Sequence, residues 1–424
     1  MKIAIVGSGI AGLAAAHRLH GQHQITVFEQ GSHVGGHVHT HDVRLDGRDF
    51  AVDTGFIVHN DRTYPHFTGL LDELGVKRQA SDMGFSVSCS QSGLEYCGSN
   101  LNALFAQRSN LARPTFWRML RDIFRFNREA PALLEQVGAD QSLGTYLDQE
   151  GYGSMFRDHY ILPMGAAIWS TDPVRVAQFP ARFFIRFFLN HGLLSINDQP
   201  VWYVIEGGSR RYVEKLIAPF ADSIRLNSPV RRIRRSNDQV TVCLDGGSEV
   251  FDAVFLACHS DQALSLLEAP SRDEEAVLGA IPYQANEAVL HTDTRLLPKR
   301  RRAWAAWNYL MPEGPQGRVC LTYDMNILQG LDAPETFCVT LNATELVDPD
   351  RIISRMTYHH PLFTLDGISA QQKHRAINGT CRTYYCGAWW RNGFHEDGMA
   401  SALHAVHHFE DDHAKLPVRR LGQA

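Results

Sequence analysis

The sequence predicts an α/β protein in which a Rossmann-like dinucleotide-binding domain carries an inserted α+β substrate domain. Three observations lead there. A complete strand–glycine turn–helix–strand–acid unit occupies residues 1–30. A second strand–glycine–helix unit lies near the far end, around Gly387 to Leu403. The chain of 424 residues exceeds what one hydrophobic core covers, so two domains are expected.

In the opening unit, Lys2–Val6 is a short apolar run suited to a strand covered on both faces. Gly7-Ser8-Gly9-Ile10-Ala11-Gly12 breaks it, and Leu13–Leu19 continues as an Ala- and Leu-rich helix. A second strand, Ile25–Phe28, ends at Glu29, seventeen residues after Gly12. In such a unit the first glycine makes the tight turn and the second lets backbone approach a pyrophosphate. The third lets helix and strand pack closely. The helix start offers unpaired N–H groups and partial positive charge to the phosphates. Glu29 suits a ribose hydroxyl pair. Glycine turns also serve packing alone; the flanking strands, helix and acid make this one a nucleotide site.

Past Glu29 and Gln30, a glycine pair at Gly35-Gly36 exceeds the needs of a simple NAD site. It suits a longer ligand whose diphosphate or ribityl chain runs close to backbone. His37, His39 and His41 alternate as on one strand face, but no nearby cysteine or carboxylate completes a metal site. Solvated or hydrogen-bonded histidines are expected there. Asp53-Thr54-Gly55-Phe56 follows a strand-like Arg48–Val52 and marks another close-approach turn. Tyr64–Gly75 reads as an amphipathic helix stopped by its glycine, and Met83–Ser90 as a strand.

From Asn100 to about Asn197 the pattern turns helical and aromatic. Pro114–Phe126 sets Arg118, Arg121 and Arg125 among large apolar residues, as in a helix packed on its own domain or lying on an anionic membrane. Phe179–Leu194 carries Phe183, Phe184, Phe187 and Phe188, suited to core or to the wall of a lipophilic tunnel. Val201–Ile205, Pro229–Arg235 and Val240–Leu244 are strand-like, with a helix at Arg211–Phe220. Phe251–Cys258 is a buried-type strand returning to the first sheet, and Glu287–Asp293, Val319–Tyr323 and Thr336–Leu341 are further strands. The triple arginine at 300–302 reads as a solvated turn or a phosphate contact.

In the closing unit a strand ends at Gly387, a loop runs to Gly398, and a helix continues to about His408. A flavin dinucleotide needs such a second unit, because its diphosphate and its isoalloxazine require separate supports. A helix start at Gly398-Met399 aimed at the flavin N1/C2 edge would stabilise charge on the reduced ring.

Composition narrows the rest. A net charge of −5 argues against general nucleic-acid binding. The first strand starts at residue 2, leaving no room for a signal peptide, and no apolar stretch reaches spanning length. Eight cysteines without a CxxC pair point to reduced thiols, a cytoplasmic location and no structural zinc.

Together, Gly7-x-Gly9-x-x-Gly12, Glu29, Gly35-Gly36, Gly207-Gly208-Ser209, Pro229-Val230 and Gly387–Ala402 resemble the flavoproteins containing monoamine oxidases, protoporphyrinogen oxidases and phytoene desaturases. Residues 56–60, 190–194 and 393–398 carry a closer likeness to a bacterial NAD/FAD-binding, amine-oxidase-like branch associated with cyclopropane-fatty-acid synthase. The resemblance implies a Rossmann-like FAD-binding domain of glutathione-reductase-like, amine-oxidase type, built from 1–78, 198–283 and 372–424. The substrate domain is then 79–197 with 284–371. It implies noncovalent FAD at Gly7, Gly9, Gly12, Glu29, Gly36, Val230 and Met399. Ile10, Ala11, Gln30, Gly35, His37, Gly55, Phe56, Gly387 and Gly398 complete the expected set. His37 stands where an arginine commonly follows the glycine pair. Lys299, in a highly charged run, is a poor candidate for the lysine that amine oxidases hold near flavin N5.

The expected reaction is hydride removal from a substrate C–H bond to flavin N5, with a lipophilic, fatty-acyl-type substrate. Candidate acid/base groups are His395, Glu396 and His191, each with capping or core hydrogen bonding as its plainer role. Two alternatives stand beside it: a flavin amine oxidase, and a non-catalytic FAD-stabilised partner of a lipid-modifying methyltransferase. The expected partners are a small lipophilic molecule, a membrane surface in peripheral contact and a cyclopropane-synthase-like enzyme.

Overall fold

The computed structural model describes residues 1–137, 140–195, 198–314 and 319–414. The end of the expected FAD-binding segment, 415–424, and three short stretches of the expected substrate domain or its border lie outside them.

A five-stranded parallel sheet runs in the order Ile224–Arg225, Gln24–Phe28, Lys2–Val6, Ala253–Leu256, Thr383–Tyr385. Strands distant in sequence therefore meet at its centre. Ile3, Ile5, Val254 and Phe255 are fully buried, as a sheet covered on both faces demands. Helix α1, Ile10–Leu19, covers one face, with every residue buried except His17 and Arg18 in its last turn. Those two basic groups lie where the helix dipole favours them.

Helix α2, Pro65–Glu73, starts on a proline and buries Phe67, Leu70 and Leu71. Helix α3, Pro114–Glu129, buries Phe116, Met119 and Phe126, and helix α4, Ala181–Asn190, buries Phe184, Phe187 and Phe188. All six join one apolar cluster with a seven-stranded sheet. That sheet runs Ile352–Pro361, Tyr283–His291, Cys338–Leu341, Leu321–Asp324, Trp307–Met311, Phe85–Cys89, Leu94–Cys97. Its apolar face meets the helices. The opposite face carries a fully buried polar ladder in which Ser86 Oγ donates to Asn308 Oδ1 at 2.8 Å. Thr340 Oγ1 lies 2.7 Å from both Thr322 Oγ1 and His291 Nε2. Polar groups at this depth are tolerated because each finds a partner.

Helix α5, His395–Ala414, packs along α1. Its start corrects the sequence reading, which placed it at Gly398-Met399. The Asp397 carboxylate accepts the N–H groups of Asn392 and Phe394, and Gly398 N–H already bonds to Phe394 O, so the helix begins three residues earlier. Several strands also shift: Pro229–Arg235 shortens to Arg232–Arg235, and Glu287–Asp293 begins four residues earlier, at Tyr283. Among the described residues, no helix is long and apolar enough to cross a membrane.

Candidate active site

The site is built where α1 and α5 begin. A Cβ on Gly12 would collide with Gly7 O, so only glycine lets α1 leave the first strand this closely. At Gly9 a Cβ would meet nothing within 4 Å, so the turn faces open space. Gly35 N–H donates to Ser8 O at 3.0 Å, and a Cβ on Gly36 would come within 3.1 Å of Gly9 Cα. Two glycine turns therefore lie back to back. They leave Gly9 and the first-turn N–H groups of Ile10 and Ala11 as an anion cradle.

Glu29 sits at the end of the second strand. Its carboxylate accepts Ser8 N–H at 2.9 Å, Ser8 Oγ–H at 2.6 Å and Gly31 N–H at 2.7 Å. The group is half-buried and fixed beside the first glycine turn, with lone pairs left for a ribose hydroxyl pair. Gln30 is exposed beside it, and Ser228 N–H donates to Glu29 O at 2.8 Å, bringing half-buried Val230 to the same end of the sheet.

The two ends of the chain meet here. A Cβ on Gly398 would stand 2.7 Å from Ile10 Cγ2 and 3.8 Å from Ala11 N, so the starts of α1 and α5 touch. Gly387 N–H donates to Ser401 Oγ at 2.9 Å, tying the last strand to α5 two residues after buried Met399.

His37 lies at the junction with the seven-stranded sheet. Gly55 passes so close that any side chain there would strike His37 O, and Phe56 N–H donates to that oxygen at 2.7 Å. The His37 ring stands 5.1 Å from Tyr358 and 5.5 Å from His360. Burial, reinforced by neighbouring imidazoles, lowers the pKa values of His37 and His259 to about 4 and that of His360 to about 3. All three nonetheless keep accessible surface. His259, Tyr358 and His360 escaped the sequence reading. The His359-His360 pair at the end of a strand was the available signal. His39 lies 4.5 Å from His33 and 4.1 Å from His41, ring to ring, and among the described residues no metal-binding cluster forms.

The three acid/base candidates are all engaged. His395 stacks on Phe56 at 3.7 Å, and its Nε2 lies 2.6 Å from the Tyr212 hydroxyl. Burial holds its pKa well below the ordinary value, so the ring is neutral. Glu396 accepts His66 N–H at 3.0 Å and Phe67 N–H at 2.9 Å, the geometry of a cap on α2. His191 stacks on Phe187 at 3.8 Å with Nδ1 2.9 Å from Phe187 O, and burial lowers its pKa to about 4. Phe394 links it toward α5, 5.2 Å from Phe187.

These residues fit FAD. The open face at Gly9, the carboxylate at Glu29 and the touching helix starts would support phosphate, ribose and ring. The comparisons agree. The model of the family described as flavin containing amine oxidoreductase matches residues 10–326. The fold is shared with a candidate protoporphyrinogen oxidase from Exiguobacterium sp. 255-15, at 18% identity and a TM-score of 0.70, over 97% of this chain and 99% of that one. It is also shared with putrescine oxidase bound to putrescine, at 16% identity and 0.68, over 98% and 100%. A Staphylococcus aureus (strain MRSA252) 4,4'-diapophytoene desaturase is 39% identical over 62 residues, 14% of this chain and 12% of the desaturase. The chain therefore belongs to the flavin-containing amine oxidoreductase family and is an FAD-dependent oxidoreductase.

Proposed function

We propose that the enzyme removes hydride from a C–H bond of a lipophilic, fatty-acyl-type substrate. The observation that carries this is the set of aromatic side chains in the large apolar cluster. Phe183 stacks on Phe363 at 4.9 Å, Trp169 lies 4.7 Å from Phe187, and on the facing sheet Trp307 lies 5.0 Å from Tyr323. Phe183, Trp307 and Tyr323 keep accessible surface within this apolar cluster, which suits a hydrocarbon chain.

When bound, FAD supplies the hydride acceptor. The chain's part is position and dryness: aromatic side chains hold the substrate at the site, and neutral His395 and His191 add no charge to it. We assign His395, through Tyr212, to positioning Phe56 at the site.

The amine oxidase alternative has the family's name behind it. Against it stand the lysines. Lys77, Lys215, Lys299 and Lys373 are exposed, and Lys2 pairs with Glu249 at the sheet's far end, so among the described residues none reaches the junction. A partner module for a cyclopropane-synthase-like enzyme is the third reading, and the division into 1–78, 198–283 and 372–424 against 79–197 and 284–371 is part of the proposal.

Anaerobic titration of the yellow protein separates these readings. Bleaching by acyl lipids and not by amines is expected. Bleaching by amines alone would replace the proposal with amine oxidation, and no bleaching by either would favour the partner module.

A further inference from the structure

The outer face of α3 and the segment before it bear a pattern that folding alone does not require. Leu101, Leu111, Trp117 and Phe124 are 75%, 52%, 49% and 59% exposed. Trp117 Nε1–H donates to Leu111 O at 2.9 Å, and the Trp117 ring lies 5.5 Å from Phe105, one turn after Leu101, so the four belong to one surface. At 100° per residue, Trp117, Arg121, Phe124 and Arg128 fall within about 60° of the helix circumference. Arg118 flanks them and is also exposed. The opposite face, Phe116, Met119 and Phe126, is already packed in the core, so the outer stripe is not spare core.

The charge is as uneven as the hydrophobicity. Residues 101–130 hold six arginines and two acids on a chain whose net charge is −5. Both acids pair with arginines of the same helix, buried Asp122 with Arg121 at 3.6 Å and Glu129 with Arg128 at 2.6 Å, which leaves four of the six positive charges uncompensated. A two-fold contact with a second copy would press this basic patch against itself. A bilayer with anionic head groups fits both features, because Trp and Phe enter the boundary while the arginines reach phosphate.

We infer that this face, Leu101, Leu111 and the Trp117–Arg128 stripe of α3, docks on an anionic lipid surface with α3 lying in the plane of the interface. The inference is independent of the substrate reading, because its test measures binding alone.

The test is cosedimentation of the FAD-loaded full chain with phosphatidylglycerol/phosphatidylcholine vesicles, against phosphatidylcholine vesicles, at ~0.1 M salt. At least tenfold stronger partition onto the anionic vesicles is expected. R121Q/R128Q, which removes two exposed guanidiniums together with their pairs to Asp122 and Glu129, should lower that partition roughly twenty-five-fold, in line with roughly a factor of five per arginine near such a surface. W117S/F124S should lower it further, and hydrogen exchange in 111–128 should slow when vesicles are added. No binding to either vesicle, or binding unchanged in both variants, would overturn the inference. So would a solution dimer that W117S/F124S dissolves, which would give the face to a second copy.

Discussion

Glu29 gathers three donors from two segments, Ser8 and Gly31, before any ligand arrives. A charge-assisted hydrogen bond contributes about 1.5–3 kcal/mol. Glu29→Ala should therefore weaken FAD binding roughly ten- to a hundredfold, read as quenching of flavin fluorescence on titration. Glu29 and the glycines were legible because their roles lie within thirty residues of one another. The Tyr212–His395 pair was not: its partners lie 183 positions apart, and only the meeting of their helices reveals it. Asp397 permits a pH test. Burial raises its pKa to about 7 against the two backbone N–H bonds that favour its charge. Its pKa being higher folded than unfolded, its contribution is full below about 4 and is lost as pH rises from there through about 7. Asp397→Asn keeps an oxygen for Phe394 N–H but cannot ionise. The Tm of the variant relative to wild type should therefore rise across that window in thermal scans at stepped pH; an unchanged difference would remove the buried-acid account.

At the scale of elements, α2 and α5 are joined by a cap borrowed across the fold. Glu396 lies in the first turn of α5 yet satisfies two orphan N–H groups of α2. Glu396→Ala should cost about 1–2 kcal/mol in urea unfolding, with Glu396→Gln recovering part of it. If capping is the whole role, hydride transfer in Glu396→Gln should stay within a few-fold of wild type. A collapse of rate with unchanged stability would restore Glu396 as an acid/base group. The sequence placed α5 but misjudged its start, because Gly398 reads as a helix boundary. It is in fact the residue that lets α5 touch Ile10. A glycine in a helix's first turn and a glycine before a helix look alike until the packing partner is known.

At the scale of the molecule, Asp53 ties the parts together. Its buried carboxylate accepts Thr40 Oγ1–H at 2.5 Å, Ser209 N–H at 2.9 Å, Ser209 Oγ–H at 2.8 Å and Gln329 Nε2–H at 3.1 Å, joining a hairpin, the Gly207-Gly208-Ser209 turn and the short helix that follows the central strand of the seven-stranded sheet. Asp53→Ala should cost about 3 kcal/mol or more by leaving these donors unpaired, measured by denaturant unfolding. The motif at 207–209 was visible in the sequence, whereas its acceptor at Asp53 was not. The alternating Ser, Asn, Thr and His of the seven-stranded sheet likewise gave no hint that their polar side is the buried ladder, since alternation alone does not say which face meets solvent. The central claim is that the touching starts of α1 and α5 hold one noncovalent FAD. Its most direct measurement is the absorbance spectrum of the purified or FAD-reconstituted chain, followed by acid precipitation, for wild type and Gly398→Val. One flavin per wild-type chain, released intact on precipitation and lost in the folded variant, is the predicted result. A colourless chain that refuses FAD, or a Gly398→Val protein that binds it as well as wild type, would contradict it.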